Sequence, residues 1–255
     1  MQPALPPGHR LLALDAIDST NDEAQRLAAA GEHGPLWIWA LSQEKGRGRR
    51  GRDWVSPPGN LYLTHVFPLA APAAVAAQVG FVAALAVRDF ALAALGHEYS
   101  GRILLKWPND VLIDGAKFSG ILAETAASPG SASLIVLLGC GINLAGAPEG
   151  TPYPVTALSR LGADIVPDLA LESFAGFFQQ WFEVWNNGTG FDKIRSAWLA
   201  HALGLGSPVR GENGLEGSFA GLAENGAMIV ALSSGEKRIL HSGEVRFASV
   251  AASSA

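Results

Sequence analysis

The sequence predicts an α+β fold in two parts: a mixed sheet flanked by helices over residues 1–206, and a small C-terminal β-barrel over residues 207–255. Three observations support this prediction. Apolar strands and helical runs are interleaved at irregular spacing through the first part. Beyond Gly206 the chain changes to short alternating strands punctuated by glycine and asparagine, which is typical of a small barrel. The length of 255 residues and the hydrophobic content of 49% are ample for a buried core.

The charge and cysteine content exclude several classes of protein. The chain has 18 basic and 23 acidic residues, a formal net charge of −5. Proteins that coat nucleic acid neutralise many phosphates with Lys and Arg, so we expect no DNA partner. The single cysteine, Cys140, excludes an intramolecular disulfide framework and a zinc site built from several thiolates. The histidines show no metal-ligand spacing.

One segment imitates a membrane span, because residues 66–87 contain no charged residue. The segment is mostly alanine and contains Pro72, Gln78 and Gly80, whereas spanning helices rely on Leu, Ile, Phe and Val. Apolar residues recur at helical spacing over residues 75–90, so we predict a buried amphipathic helix instead. The N-terminus also lacks the features of a signal peptide. We therefore expect a cytoplasmic protein without membrane contact.

The remaining elements follow from apolar patterning. Before the Gly- and Pro-rich loop at 145–157, strands are predicted at 11–17, 36–42, 61–67, 103–106, 111–113, 118–125 and 133–138. A helix is predicted from Thr20 to Ala30, where Thr20 and Glu23 form a capping box. Two further helices are predicted at about 168–186 and 191–202. The predicted barrel strands are 208–210, 215–222, 227–232, 237–241 and 245–247.

A basic, glycine-rich loop follows the second predicted strand. Five cations lie within residues 45–52, and Gly46 to Gly51 match the dinucleotide fingerprint G-x-G-x-x-G. That fingerprint requires a helix starting within the motif, but the continuation through Pro57 and Pro58 cannot form one. No Gly-Lys-Ser/Thr completes a P-loop. A cationic loop between two apolar strands is suited to clamp a polyphosphate. The alternatives are a solvated charged turn and a disordered segment that binds nucleic acid.

Three smaller features are further site candidates. The backbone N–H groups at Ser19-Thr20-Asn21 suit an anion or a carbonyl, although these residues alone favour simple helix capping. The hairpin signal Asp114-Gly115 brings Lys106 and Lys117 to similar depth, so both could face one pocket; the alternative is two surface lysines. Cys140 could act as a nucleophile, but it follows an apolar strand without an adjacent His, which favours a core residue.

Taken together, these motifs resemble those of biotin protein ligases. They occur in the order found in that family: Ser19-Thr20-Asn21, Gln43 with Gly46–Arg52, Trp54, Lys106–Asp110, Lys117–Leu122 and Gly139–Asn143. The resemblance spans essentially the whole chain. It implies a biotin/lipoate ligase-like catalytic domain with an SH3-like C-terminal barrel. It also implies a two-step reaction, in which biotin and ATP give biotinyl-5'-AMP and pyrophosphate, and a lysine of a carrier protein then attacks the adenylate.

The resemblance assigns roles to individual residues. It implies a biotin site made of Ser19, Thr20, Asn21, Gln43, Arg47, Gly48, Arg49, Lys117 and Gly120. It implies an ATP site made of Arg47, Arg49, Arg50, Arg52, Trp54, Lys106, Asn109, Asp110, Lys117 and Asn143. Lys117, Arg47 and Arg49 are expected to be catalytic through charge stabilisation, and Asp110 is expected to bind Mg²⁺.

The implied partner is a biotin carboxyl carrier protein, or such a domain of acetyl-CoA carboxylase or another biotin-dependent enzyme. We expect a monomer or homodimer. Because the catalytic strand begins near residue 11, we expect neither the winged-helix DNA-binding domain of some family members nor their repressor function. Lipoate ligases and octanoyl transferases share the scaffold and are the alternative. They typically lack an arginine-glycine loop, which favours biotin.

Overall fold

A seven-stranded mixed sheet forms the larger part of the protein. The structure is a computed structural model that describes residues 3–127, 133–243 and 245–247. The strands of this sheet are β1 (Arg10–Ile17), β2 (Leu36–Gln43), β3 (Leu61–Leu69), β4 (Ile103–Lys106), β5 (Asp110–Ile113), β6 (Ala116–Ala126) and β7 (Leu134–Ile142). Their spatial order is β1-β2-β3-β7-β6-β5-β4. β1 and β2 are parallel and every other neighbouring pair is antiparallel, which confirms the predicted mixed sheet.

Helices pack on both faces of this sheet, and the period-2 alternation of the strands decides which residues meet which helix. The helices are α1 (Thr20–Ala29), α2 (Val79–Leu95), α3 (Pro167–Trp185) and α4 (Phe191–Ala200). On β3, Val66 packs against α1 residues such as Ala24. Its neighbour Phe67 instead belongs to the larger core that contains α2 and α3. The two faces of the sheet therefore support two separate apolar clusters.

Helix α2 is the predicted buried helix, but it is not amphipathic. With the 3₁₀ turn before it, it forms a 23-residue segment, Ala73–Leu95, that is long and apolar enough to cross a membrane. In its most apolar window, 72% is buried inside the structure. Nearly every residue from Val79 to Ala91 is buried, because the helix lies between the sheet, α3 and α4. The first residues of the charge-free run, 66–69, belong to β3.

A second sheet follows α4 and has five antiparallel strands. They are β8 (Pro208–Gly211), β9 (Glu216–Leu222), β10 (Met228–Ala231), β11 (Lys237–Leu240) and β12 (Val245–Phe247). Their order is β11-β10-β9-β8-β12, and the end strands β11 and β12 do not pair with each other. The five strands occur where the sequence predicts them. The sheet is open, however, so a closed barrel is not confirmed.

The second sheet is attached to the larger part by specific contacts. The Trp107 indole N–H donates a hydrogen bond of 3.1 Å to the Gly226 carbonyl. A Cβ on Gly226 would lie 2.6 Å from the Phe81 ring, so the absence of a side chain lets this turn approach α2 closely. Arg195 on α4 also donates to the Leu222 carbonyl, at 3.5 Å. These contacts tie the second sheet to the helical layer.

Candidate functional site

The site candidates gather on the α1 side of the sheet, where β1 and β2 end. Because these strands are parallel, their carboxyl ends lie side by side, and Ile17 is the register partner of Gln43. β1 continues into α1, and β2 continues into residues 43–56, which we call the arginine loop. The Lys45 N–H donates to the Asp18 carbonyl at 2.8 Å, which joins the two exits.

The N-terminus of α1 differs by one residue from the prediction. Ser19, not Thr20, is the N-cap, and its hydroxyl accepts the Asp22 N–H at 3.4 Å. Thr20 is the first helical residue, so its hydroxyl is not needed for capping. It donates instead to Gln43 Oε1 at 3.1 Å, and the Thr20 N–H donates to the same oxygen at 2.9 Å. The structure thus joins two predicted biotin-site residues from different elements.

Three glycines, Gly120, Gly139 and Gly141, form the surface of the sheet beneath Asn21 and Trp54. A Cβ on Gly139 would lie 2.2 Å from Asn21 Oδ1. A Cβ on Gly141 or Gly120 would lie 2.5 Å or 2.8 Å from the Trp54 ring. Any larger residue would therefore push Asn21 or Trp54 off the sheet. The glycine surface allows flat groups to lie directly on the strands.

A neutral hydrogen-bond network covers part of this surface. The buried Thr64 hydroxyl on β3 lies 2.6 Å from Asn21 Oδ1 and 2.9 Å from the Thr20 hydroxyl. Gln43 Nε2 donates to the Ser56 hydroxyl at 2.9 Å, which closes the base of the arginine loop. Thr64 was missed from sequence. The period of β3 could have placed it on the α1 face, but not beside Asn21.

Two carboxylates connect this network to the arginine loop. Asn21 Nδ2 donates to Glu124 Oε2 at 2.8 Å. The Arg47 guanidinium contacts both Glu124 oxygens, at 3.0 and 3.2 Å, and Asp22 Oδ1 at 2.7 Å. Glu124 and Asp22 were also missed. The only sequence signal for Glu124 is its even spacing from Gly120 along β6, which places both on one face.

Lys117 lies beside a small cavity of about 60 Å³. Its ammonium is 2.8 Å from Asp110 Oδ1, and it lies 5.3 Å from the Trp54 ring centroid and 5.6 Å from that of Tyr153. Asn143 also lines the cavity, and its side-chain amide donates to the Thr156 carbonyl at 3.0 Å. Tyr153 was missed, because an aromatic residue in a Gly- and Pro-rich loop carries no positional signal.

Two predicted ATP-site residues from distant segments also meet. Arg49 Nη1 lies 3.4 Å from Asn109 Oδ1, and Asn109 Nδ2 donates to the Ile121 carbonyl at 3.0 Å. Burial, reinforced by repulsion from Arg50 and Arg52, lowers the pKa of the Arg49 guanidinium. An anionic group nearby would relieve this cost.

Other predicted residues lie apart from the cavity. Lys106 is half-buried opposite Asp110 in the β4–β5 register. Of the two lysines expected to face one pocket, Lys117 lines the cavity and Lys106 does not. Arg50 forms a two-bond ion pair with Glu212, between β8 and β9. Arg52 is exposed, and its carbonyl accepts the Gly48 N–H at 2.7 Å.

Cys140 is a core residue, as the sequence favours. Its neighbours Gly139 and Gly141 face Asn21 and Trp54, so the intervening side chain points to the opposite face and joins the larger core. Burial raises the pKa of the Cys140 thiol to about 12, partly offset by a contact with the Ser119 hydroxyl. The reactive form of a cysteine is the thiolate. The geometry therefore speaks against the alternative of a cysteine nucleophile.

Asp110, the carboxylate expected to bind Mg²⁺, lies next to Lys117. Among the described residues, no group of three or more His, Cys, Asp or Glu side chains could hold a metal ion. Mg²⁺ is often bound by one or two carboxylates together with substrate phosphates. The Asp110 carboxylate, 2.8 Å from the Lys117 ammonium, fits that mode.

Comparison with known proteins identifies the family. Residues 13–143 match the model of the Biotin/lipoate A/B protein ligase family. The chain is 41% identical to the biotin–[acetyl-CoA-carboxylase] ligase of Paracoccus denitrificans, over 92% of this chain and 99% of the relative. It is 33% identical to the Mycobacterium tuberculosis protein of the same name, over 76% and 71%. The structure of the Aquifex aeolicus biotin protein ligase in complex with biotin and ATP superposes with a TM-score of 0.77, at 28% identity, over 94% and 99% of the two chains. The chain belongs to the Biotin/lipoate A/B protein ligase family.

Proposed function

We propose that this protein is a biotin–[acetyl-CoA-carboxylase] ligase, which activates biotin with ATP and transfers it to a lysine of a carrier protein. The observation that carries the proposal is the junction of a neutral polar pocket with a cationic loop over one glycine surface. The names of the relatives, and the Aquifex complex with biotin and ATP, support both substrates. They favour biotin over lipoate.

The neutral half of the site suits the ring system of biotin. The ureido group has one carbonyl acceptor and two N–H donors, and Ser19, Thr20, Asn21 and Gln43 supply both donors and acceptors near the glycine surface. Gly48 and Gly120, the latter covered by the Trp54 ring, would allow close approach of the backbone to biotin. The valeryl carboxylate would then reach Arg47, Arg49 and Lys117.

The cationic half suits adenylate formation. The biotin carboxylate attacks the α-phosphorus of ATP; a new phosphorus–oxygen bond forms and pyrophosphate leaves. Both reactants are anionic, so positive charge is needed to bring them together and to stabilise the transition state. We assign this role to Lys117, Arg47 and Arg49, with Arg50, Arg52 and Lys106 as further cations for phosphate. Trp54, Asn109 and Asn143 would hold the nucleoside, and Mg²⁺ held by Asp110 would supply charge at the phosphates.

The second step transfers the biotinyl group. The neutral amine of the acceptor lysine attacks the adenylate carbonyl, an amide forms, AMP leaves, and the amine loses a proton. The adenylate must be kept from water until the acceptor arrives, and a loop that closes over it can do this. The acceptor would be a biotin carboxyl carrier protein or domain.

Several expectations stay predictions within this proposal. They are a catalytic domain at 1–206, a separate C-terminal domain at 207–255 with an SH3-like barrel, a cytoplasmic location and a monomeric or homodimeric state. Removing residues 207–255 and testing whether the remainder unfolds cooperatively would examine the domain division.

Biotin-dependent exchange of pyrophosphate into ATP tests the function. We expect exchange in the wild type and a loss of about hundredfold or more in Lys117→Ala, because one charge-stabilising group is typically worth this much. Lys237→Ala, which removes an exposed lysine from β11, is the matched control and should retain exchange. Exchange that depends on lipoate and not on biotin would overturn the proposal.

A further inference from the structure

The arginine loop is built as a short hairpin that projects from the larger sheet. Antiparallel bridges join Gln43 to Ser56 and Arg47 to Asp53. The N–H groups of Gly48 and Trp54 donate to the carbonyls of Arg52 and Gly46, at 2.7 and 2.8 Å. Residues 49–52 are therefore the tip, which is the part most remote from the sheet that supports it.

The tip is held by a residue of the other sheet. Arg50 donates through both terminal nitrogens to the Glu212 carboxylate, one of these bonds measuring 3.0 Å. Arg50 also has a left-handed backbone, with φ 59° and ψ 32°, which is unfavourable for a residue other than glycine. A two-bond pair fixes the orientation of a guanidinium better than a single contact does. The Glu212 contact thus compensates for an unfavourable turn at the tip.

Glu212 has a firm attachment of its own. It lies in a 3₁₀ turn between β8 and β9, and this turn is closed by the Gly211 N–H donating to the Leu215 carbonyl at 2.8 Å. The second sheet is in turn tied to the helical layer through Trp107 and Arg195. The position of Glu212 is therefore fixed relative to the core.

We propose that Glu212 is a positioning residue, which holds the tip of the arginine loop through Arg50 and thereby keeps the loop closed over the adenylate. This gives the C-terminal sheet a role in the reaction without contact to either substrate. The part concerning the adenylate rests on the proposed function. The part concerning the position of the loop does not depend on the proposed function.

The experiment compares glutamate-to-glutamine variants at two exposed positions that pair with different arginines. Glu212→Gln removes the charge that holds Arg50. Glu216→Gln removes another exposed charge, on the neighbouring strand β9, where Glu216 pairs with Arg210 at 3.0 Å. Hydrogen–deuterium exchange of the ligand-free proteins is measured for peptides that contain the Gly48, Arg52 and Trp54 amides. We expect exchange about two- to fivefold faster in Glu212→Gln, as befits an exposed ion pair. We expect no change in Glu216→Gln, or in the β3 and β7 peptides of either variant.

Charge exchange is the second arm of the experiment. Arg50→Glu should speed loop exchange as Glu212→Gln does, and the double variant Arg50→Glu with Glu212→Arg should restore protection. This arm uses ligand-free protein, because Arg50 is also one of the cations expected at ATP. Loop exchange equal to the wild type in Glu212→Gln, or no recovery in the double variant, would overturn the proposal.

The catalytic consequence is measured as release of AMP from biotin and ATP without an acceptor protein. Water then hydrolyses biotinyl-5'-AMP to biotin and AMP, so the rate reports how well the loop excludes water. We expect about two- to fivefold faster release in Glu212→Gln than in Glu216→Gln, with pyrophosphate exchange changed by less than about twofold. Faster hydrogen–deuterium exchange of the loop in Glu212→Gln without faster AMP release would overturn the role of Glu212 at the adenylate. A wild type without biotin-dependent exchange would overturn the proposed function and leave the loop result standing.

Discussion

Two adjacent residues of β3 show that buried polar groups have different surroundings on the two faces of the sheet. Thr64 and His65 are both almost fully buried. Thr64 faces the site and lies within hydrogen-bond distance of Thr20 and Asn21. His65 faces the helical core, where it stacks on Trp37 with ring centroids 4.0 Å apart and meets Phe178 edge-on. Within the part of the chain that the structure describes, neither ring nitrogen of His65 has a hydrogen-bond partner.

The Thr64 hydroxyl takes part in the hydrogen bonds of the site, whereas the His65 imidazole is only packed in the core. Thr64 belongs to a network that continues through Asn21 to Glu124 and Arg47, so its hydroxyl helps to orient groups expected to meet biotin. His65 is kept neutral: burial, together with repulsion from His9, holds its pKa well below the usual value. A neutral imidazole in an aromatic stack is compatible with packing, whereas an imidazolium is not.

The largest expected effect is therefore a loss of stability in acid. Native His65 stays neutral while unfolded His65 binds a proton below about pH 6.5, so the unfolded state binds more protons. The free energy of unfolding should fall as pH falls, with His65 contributing at most about 2 kcal/mol between pH 8 and pH 5. Urea unfolding across this range should show that the free energy of unfolding of His65→Phe falls less steeply with falling pH than that of the wild type. The exposed His97→Gln should keep the wild-type slope. Equal pH slopes in the wild type and His65→Phe would contradict the prediction.

The next largest effect is expected where the network meets the loop. Glu124→Gln removes the charge that orients Arg47 and accepts from Asn21. We expect the KM for biotin in pyrophosphate exchange to rise about tenfold, or about 1.4 kcal/mol, since hydrogen bonds to a charged group are involved. Glu183→Gln, at an exposed position on α3, is the control. An unchanged KM would mean that Arg47 and Asn21 are held without this carboxylate.

Removing the hydroxyl on the site face should have a smaller effect. Thr64→Val keeps the shape of the side chain and deletes its hydrogen bond to Asn21. The free energy of unfolding should fall by about 1 kcal/mol, with a modest rise in the biotin KM. Thr125→Val, which changes an exposed threonine on β6, should leave both unchanged. Wild-type values in Thr64→Val would show that the network does not depend on this hydroxyl.

The smallest effect on activity is expected at Cys140. Cys140→Ala changes a side chain on the core face of β7, away from Asn21 and Trp54, so exchange activity should stay within about twofold of the wild type. Thiol alkylating agents should likewise react slowly with the folded protein. A large loss of activity in Cys140→Ala at full stability would revive the thiol as a catalytic group.

Sequence reasoning found the strands because each is an apolar run with clear boundaries. It also singled out Asn21, Arg47 and Lys117 as site candidates, because unusual residue combinations surround them. It did not find Glu124, Asp22 or Thr64. Each is a common residue whose importance depends on contacts between elements that are distant in the sequence, and such contacts leave no local pattern. The N-cap was displaced by one residue because Ser19 and Thr20 are both good caps.

The same limit explains why a closed barrel was predicted for the C-terminal sheet. Alternating residues and Gly-rich turns predicted five strands, and five strands are present. Whether a sheet closes depends on the pairing of its first and last members in space, which turn residues do not encode. The ion pair between Arg50 and Glu212 joins positions 162 residues apart. It was equally invisible in the sequence.

The parallel pairing of β1 with β2 also limits where the chain tolerates insertions and deletions. Ile17 lies opposite Gln43, so the last residues of both strands leave the sheet as neighbours. Shifting one strand by a single residue would turn its side chains to the opposite face. Length changes within β1 or β2 would therefore separate Thr20 from Gln43. The turn at 31–35, at the opposite end of these strands, lies outside this constraint, and we expect homologous chains to vary in length there.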